Sequence, residues 1–507
     1  MTTSSNSLPA SSLRGVLRPP GDVSMSHLAV VLAAFAHGAS ELKGLSDSAD
    51  VQGTINAVCQ LGAIADLHPE PNGLSGTLIS AIPATGDLAT DSDFDEPLAA
   101  NTLDSLIEPL DIECGSSAHT VRLLLGVLAG YAMAVRLFGD EALSRLSFGH
   151  LIRPLLAMGA RINRGVLGCR TPCGKGADTL PLLQKGYFPL RSLDHHLTTS
   201  IPQLKDALLL AALRAEGLTS ISETAPSPNQ AELLLSRFGI NLTREGQTVR
   251  VMGPQSLAPA TVEVLGDPSK AALFAVAAAL IPGSDITLCD VYLHPSRMGF
   301  ARVMQRMGAD IRIVPNNGIV PNNDSKLGSA KTCDDGDVHN PYTGSLRARY
   351  VSELTGTTIS ATESAELVDE ISLLALLATQ ARGQTIFADS SFLRRPLNNT
   401  PETLCAGLQA LGCDATLRDK ALVIGRAGVK PSGTRARKQN KTAPAPVLES
   451  QGNAQLALVW TVAQRALCPG ARLNDADVAQ AAYPNFLADL ESLSVSAATA
   501  ASDRVTG

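Results

Sequence analysis

The sequence predicts an α/β protein of two domains, with helices packed inside and sheets outside. Three observations carry that prediction. An apolar helix that stops at glycine and runs into a strand recurs six times, at Gly38, Gly130, Gly217, Gly283, Gly383 and Gly470. A second helix follows in each of the first five units and ends in an apolar residue plus glycine: Leu61-Gly62, Met158-Gly159, Phe238-Gly239, Met307-Gly308 and Leu411-Gly412. The first helix of each unit is apolar nearly all round, the pattern of a buried helix rather than a surface one. A chain of 507 residues exceeds one typical core, and six helix–strand–helix–strand units divide naturally as three per domain.

In chain order, residues 1–12 read as a disordered tail. The first unit opens in PPGDVSMSHLAVVLAAFAHG. A Pro-Gly turn leads in, Asp22, Ser24 and Ser26 are N-cap candidates, and an apolar helix from His27 to Ala36 stops at Gly38 before a strand. The pattern returns in RLLLGVLAGYAMAV, KDALLLAALRAEGLTSI, KAALFAVAAALIPGSDITL, EISLLALLATQARGQTIF and AQLALVWTVAQRALCPGARL. After the sixth, the partner helix near 484–493 closes on Leu-Ser instead of glycine. Helices aligned in this way aim their N-termini at one cleft, which favours anionic ligands. Two stretches interrupt the pattern. Residues 315–345 are a polar Asn/Gly/Asp insertion and read as a surface loop. Residues 426–445 are basic and Pro-flanked, a solvated loop or else an anion- or partner-binding arm. A second tail runs from 494 to 507.

Composition removes several function classes. Against 48 acidic residues stand 41 basic ones, a net charge of −7, which argues against nucleic-acid or anionic-membrane binding. No apolar run reaches the ~18 residues of a membrane span, and the N-terminus lacks a signal-peptide pattern, so a cytoplasmic protein is expected. The nine cysteines are scattered, as small core residues of a reduced protein are. Cys169 and Cys173 form the only close pair, with no second pair at zinc-site spacing, so no metal is expected. No strand is followed by G-x-G-x-x-G, which disfavours a dinucleotide-binding enzyme.

The motifs then narrow the reading. After the turn GDVSMSH come DSADVQGTINAVCQLGA, ECGSSAHTVRLLLG and GDEALSR, then PQLKDALLLAALRAEG, GDPSKAALFAVAAALIPGSDITL and HPSRMGFARVMQRMGADI, and last VDEISLLA, GLQALGCDA and YPNFLADLESL. In order and spacing this series resembles the EPSP synthase family of enolpyruvyl transferases, over nearly the whole chain outside the tails and the two insertions. The resemblance implies a two-domain inside-out α/β barrel with crossovers near 19–21 and 249–253. The first domain is then 13–20 plus 253–493 and the second 21–252. It also implies enolpyruvyl transfer from phosphoenolpyruvate to the 5-hydroxyl of shikimate 3-phosphate without metal or cofactor. A carboxylate takes the hydroxyl proton, an acid protonates the methylene, and phosphate leaves. Position by position, Ser24 matches the serine that contacts the sugar phosphate, Arg122 the arginine ending the family's Asn-x-Gly-Thr segment, and Gln203 a glutamine touching both substrates. Asp369 matches the proton acceptor. From local sequence alone Ser24 and Asp369 serve equally as helix N-caps, Arg122 as a helix-end charge and Gln203 as a plain helix residue.

Elsewhere the chain departs from the family pattern. Val23 stands where a lysine is expected and Leu28 where an arginine is. Ser116-Ser117-Ala118-His119 replaces Asn-x-Gly-Thr, putting the Ala118 methyl where the backbone would approach phosphoenolpyruvate. Leu146-Ser147 replaces Arg-Pro, with Arg145 one residue away. Ile201-Pro202-Gln203 replaces Ser-Ala-Gln, and Pro228 replaces the arginine of Ser-Arg-Asp-His. Pro396-Leu397-Asn398-Asn399-Thr400 replaces Lys-Glu-Ser-Asp-Arg, with Arg394 and Arg395 close by. Asn453-Ala454-Gln455 replaces Asp-His-Arg. Two highly anionic substrates need several cations in a dry cleft, and most of them are gone. The expectation is a weak or non-catalytic member of the family, acting through a protein partner. The alternative is an active enzyme using substitute residues. Less favoured is an enolpyruvyl transferase for another substrate: a UDP-N-acetylglucosamine enolpyruvyl transferase would carry Lys-Asn where Val23-Ser24 stand.

Overall fold

The computed structural model describes residues 11–71, 73–80, 82, 109–131, 133–164, 178–185, 190–198, 202–224, 227–316, 342–393, 400–425 and 445–494. The tail at 1–10, the interiors of both inserted loops, Cys169, Cys173, Arg394 and Arg395 lie outside the described residues, as does 495–507. The chain divides into two units, one continuous (21–264) and one discontinuous (1–20 with 265–507).

Among the described residues twelve principal helices organise the chain. In the continuous unit they are α1 (Val23–Phe35), α2 (Ala49–Gln60), α3 (Ala118–Val127), α4 (Gly149–Ala157), α5 (Pro202–Ala212) and α6 (Gln230–Arg237). The discontinuous unit holds α7 (Pro268–Leu280), α8 (Gly299–Arg306), α9 (Ile371–Ala378), α10 (Thr400–Ala410), α11 (Ala454–Ala466) and α12 (Phe486–Ser492). The odd-numbered helices are the apolar ones. Every residue of α7 and of α9 is buried, as a helix apolar on all faces requires. Within the discontinuous unit α7, α9 and α11 pack on one another, and within the continuous unit α3 packs on both α1 and α5. Sheets cover the outside, so each unit has helices within and strands without.

Each repeat is richer than helix–strand–helix–strand. In five of the six a path of four strands recurs with one topology, and the third sheet adds a fifth strand, Leu190–Arg191, beside Ala215–Glu223. The second repeat shows it: Leu110–Glu113 runs parallel to Ala134–Phe138, which is antiparallel to Leu182–Lys185, which is antiparallel to Arg161–Arg164. A strand thus precedes each inner helix and a hairpin follows each outer one. The sixth repeat keeps only Val447–Leu448 and Arg472–Leu473 among the described residues. The first sheet of each unit takes its leading strand from across a chain crossing. Arg14–Leu17 pairs with Asp285–Tyr292, and Thr261–Glu263 pairs with Ala39–Leu45. That second pairing corrects the boundary expected near 253. Residues 253–264 belong to the continuous unit because their strand completes its first sheet, and the crossing falls between Val264 and Leu265.

The outer helices end as their sequences indicate. Gly62, Gly159, Gly239, Gly308 and Gly412 follow the C-cap residue at φ +109°, +100°, +82°, +87° and +83°, a left-handed turn that glycine adopts without strain. Of the inner-helix glycines, Gly217 lies inside the strand Ala215–Glu223 instead of at the helix end. The expected loop at 315–345 begins and ends in strands paired with each other, Asp310–Pro315 and Thr343–Arg349, and its interior lies outside the described residues.

Candidate active site

In the continuous unit three inner helices share one direction. A Cβ on Gly126 of α3 would stand 2.3 Å from the carbonyl oxygen of Ala207 in α5, and one on Gly130 would stand 2.3 Å from Cβ of Arg214. Both contacts advance the same way along both helices, so α3 and α5 are parallel. His27 with His119 (ring centroids 4.7 Å) and Phe35 with Tyr131 (4.9 Å) give the same result for α1 and α3. Ser24, Ala118, Arg122 and Gln203, four of the five residues singled out in the sequence, therefore stand at the N-terminal end of one helix set. Asp369, the fifth, belongs to the discontinuous unit.

Asp22 caps α1. Its Oδ1 accepts from the Met25 amide at 2.9 Å and from Gln230 Nε2 at 2.9 Å, which ties the start of α1 to α6. Ser24 is not the cap; it sits half-buried at the second position of the helix. Ser26 Oγ donates to the Asp22 carbonyl at 2.8 Å and accepts from the Ser46 amide at 2.9 Å. His27 is buried, and its Nδ1 lies 2.6 Å from Thr54 Oγ1, itself 2.5 Å from Thr120 Oγ1. Burial pushes the His27 imidazole down to about 3.

Ser117 caps α3, its side chain accepting from the Thr120 amide at 3.2 Å, so Ala118 is the first helical residue. Arg122 lies one turn further on, its guanidinium 5.9 Å from the Phe148 ring centroid. Nε of Arg122, Nε2 of His119 and Nε2 of His150 are all buried without a hydrogen-bond partner among the described residues. Burial lowers the pKa of all three groups, and the Arg122 charge lowers both histidines further. Arg145, the cation one residue from Leu146-Ser147, forms an exposed i,i+4 ion pair with Glu141.

Gln203 is half-buried in the first turn of α5. Two residues on, Lys205 is fully buried. Its Nζ donates to the Pro228 carbonyl at 2.8 Å and Glu232 Oε1 at 3.0 Å, and lies 3.4 Å from Glu223 Oε2. Arg244 Nη1 also donates to Glu232 Oε1, at 3.0 Å. Next to this network burial holds the Asp206 carboxyl protonated, its pKa pushed up to about 8 despite Lys205.

In the discontinuous unit Asp369 is half-buried in the turn before α9. The N-cap position is Glu370 and not Asp369, and the Glu370 side chain makes no capping hydrogen bond. Glu370 is buried and lies 2.5 Å from Ser269 Oγ. Burial, and then the adjacent Asp369, push its pKa up to about 7. Asp267 caps α7 through the Ser269 amide at 2.8 Å, and Arg297 Nη2 donates to Ser269 Oγ at 3.0 Å. Asn453 caps α11 and donates to Thr400 Oγ1 at 3.1 Å, so two neutral side chains bond each other. The buried histidines, Lys205, Glu370 and Arg297 went unread as site residues. The visible signal for Lys205 and Asp206 was a charge pair at the start of an otherwise apolar buried helix.

Two α/β units of repeated inside-helix, outside-sheet design define a class of transferase fold, and solved structures share it. An EPSP synthase from Acinetobacter baumannii superposes with a TM-score of 0.71 at 23% identity, covering 96% of this chain and 98% of its own. The enolpyruvyl transferase NikO from Streptomyces tendae gives 0.64 at 16% identity, covering 96% of both chains. The family model described as EPSP synthase (3-phosphoshikimate 1-carboxyvinyltransferase) matches residues 8–72 and 89–490. A 3-phosphoshikimate 1-carboxyvinyltransferase of Geobacillus thermodenitrificans is 33% identical over 484 residues, 95% of this chain and 97% of the relative. The chain belongs to the EPSP synthase family.

Proposed function

We propose that this chain is a member of the EPSP synthase family in which transfer of the enolpyruvyl group from phosphoenolpyruvate to shikimate 3-phosphate has become slow or has been lost. The observation that carries this reading is the start of α1. From Val23 to Phe35 the helix holds no lysine or arginine, and Leu28 is in the core. Where the family resemblance calls for two cations facing phosphate, the chain offers two hydrocarbon side chains. Removing one preorganised charge or donor from a site that stabilises developing negative charge costs on the order of 10²–10³ in rate. The residues that remain favour ligand binding over turnover. Arg122 and Gln203 stand at a common helix end, and Asp369 adjoins the buried Glu370, whose pKa is pushed up to about 7. In the reaction Asp369 would take the proton of the 5-hydroxyl as its oxygen attacks.

Phosphate release tests the reading. The purified protein and the Geobacillus thermodenitrificans relative are assayed side by side with both substrates at millimolar concentration. A rate at least ~10³ below the relative's is expected from the loss of the α1 cations. A rate within about tenfold, little over 1 kcal/mol of barrier, overturns the reading in favour of an active enzyme with substitute residues.

A further inference from the structure

We infer that His119, Arg122 and His150 form one anion-binding group for a phosphate- or carboxylate-bearing ligand, in which the two imidazoles become charged as the anion binds. The inference rests on the reading above that fixed cations have left the site, and it says what supplies charge in their place. Buried polar atoms nearly always have a hydrogen-bond partner. Here three buried nitrogens in one neighbourhood lack one among the described residues: Nε2 of His119, Nε of Arg122 and Nε2 of His150. All three are nitrogens that can carry a proton, so the partner they suit is an acceptor. His119 and Arg122 are three residues apart on α3 and share a helix face. The Arg122 guanidinium faces the Phe148 ring, two residues before His150 at the start of α4. The three groups therefore converge from two packed helices.

Beside the Arg122 cation alone, both imidazoles are held neutral. Burial disfavours their charged forms, and the guanidinium adds repulsion. Around His119 the other facing group is His27, which is neutral and bonded to Thr54. Around His150 it is Asp178, whose own neighbour is Arg153, and Asp178 pulls the imidazole pKa upward. A bound anion reverses the sign of the local field. Each imidazole then takes a proton from solvent and donates Nε2–H to the ligand as a charge-assisted bond.

The test is calorimetric titration of phosphoenolpyruvate into the whole protein with shikimate 3-phosphate present, at pH 7.5, in two buffers of different ionisation enthalpy. The same titration is run on the H119Q/H150Q variant. Protons taken up by the ligand itself are common to both proteins and cancel in the difference. Wild type is expected to take up more protons than the variant, and its affinity to fall more steeply with pH, by up to tenfold per pH unit for each extra proton. In wild type, ¹⁵N-histidine NMR reads the His119 and His150 ring states directly, so the test stands even if the variant fails to fold. Binding with both rings still neutral overturns the proposal and leaves the slow-turnover reading intact. Absence of binding at millimolar ligand also overturns it. Fast turnover with ring protonation overturns the functional reading alone.

Discussion

Replacing Lys205 by methionine isolates the energetics of the buried network in the continuous unit. Lys205 is fully buried and Glu223 and Glu232 nearly so. Methionine fills much the same space without the charge. Glu232 keeps Arg244 at 3.0 Å, whereas Glu223 loses its close cation and has one carboxylate oxygen without a hydrogen-bond partner already. Breaking a buried pair by removing one member costs about 3–5 kcal/mol. The retained Arg244 contact places K205M at the lower end, about 3 kcal/mol. In a unit of this size that corresponds to a fall in Tm of roughly 6–12 °C. Urea unfolding followed by circular dichroism measures it. A double variant supplies a second check. Adding Glu223→Gln to K205M removes the carboxylate left without its close cation, so it should recover part of the lost stability. A cost under ~1 kcal/mol, or no recovery in the double variant, would refute the assignment of this cluster as a mutually dependent charge network.

Three further outcomes follow from the same geometry. His27 is neutral in the fold with a pKa near 3, while the unfolded chain takes up that proton near 6.5. Stability should therefore fall by about 1.4 kcal/mol per pH unit as pH drops below 6.5, and urea titrations at pH 7, 5.5 and 4.5 should show a shallower slope for H27Q. Glu370 is shifted the other way, to about 7. It binds a proton in the fold that the unfolded chain has released, so stability falls as pH rises from about 4.5 to 7, and E370Q should flatten that arm in the same titrations. A Cβ on Gly407 would meet Trp460 Cζ2 at 2.3 Å, so G407A should cost about 1–3 kcal/mol by overpacking. Because the chain has a single tryptophan, its fluorescence reports the local shift directly, and an unaltered emission spectrum and Tm would contradict the packing.

The fold was legible because its strongest signals are local. An apolar helix that ends at glycine identifies itself over about fifteen residues, and six copies identify the architecture. What escaped were features that depend on a distant partner. Strand Thr261–Glu263 is three residues long and exists because Ala39–Leu45, more than 200 residues earlier, offers it an edge. The hairpin strands, such as Gly73–Ile79 with its interior glycine, have no pattern of their own strong enough to announce them. Arg122 and Gln203 were singled out from the motifs around them. The Lys205–Glu232 contact was not legible, since 27 residues separate the two ends of one ion pair. Nor was the pairing of Arg145 with its near acid, Glu141.

The close seat of Gly126 on Ala207 has a consequence for how this chain tolerates change. Side-chain contacts can yield by a rotamer, but backbone resting on backbone has nothing to yield. Arg122 and Gln203 each lie one turn before that seat, so the distance between their helix ends is gauged by the seat and not by the residues at the ends. Substitutions at the ends can alter charge, size and hydrogen bonding freely while the gauge stays at its setting. The chemistry at the helix ends is thereby uncoupled from their spacing, and a single extra methyl at position 126 would disturb more of the site than the loss of any one charge within it.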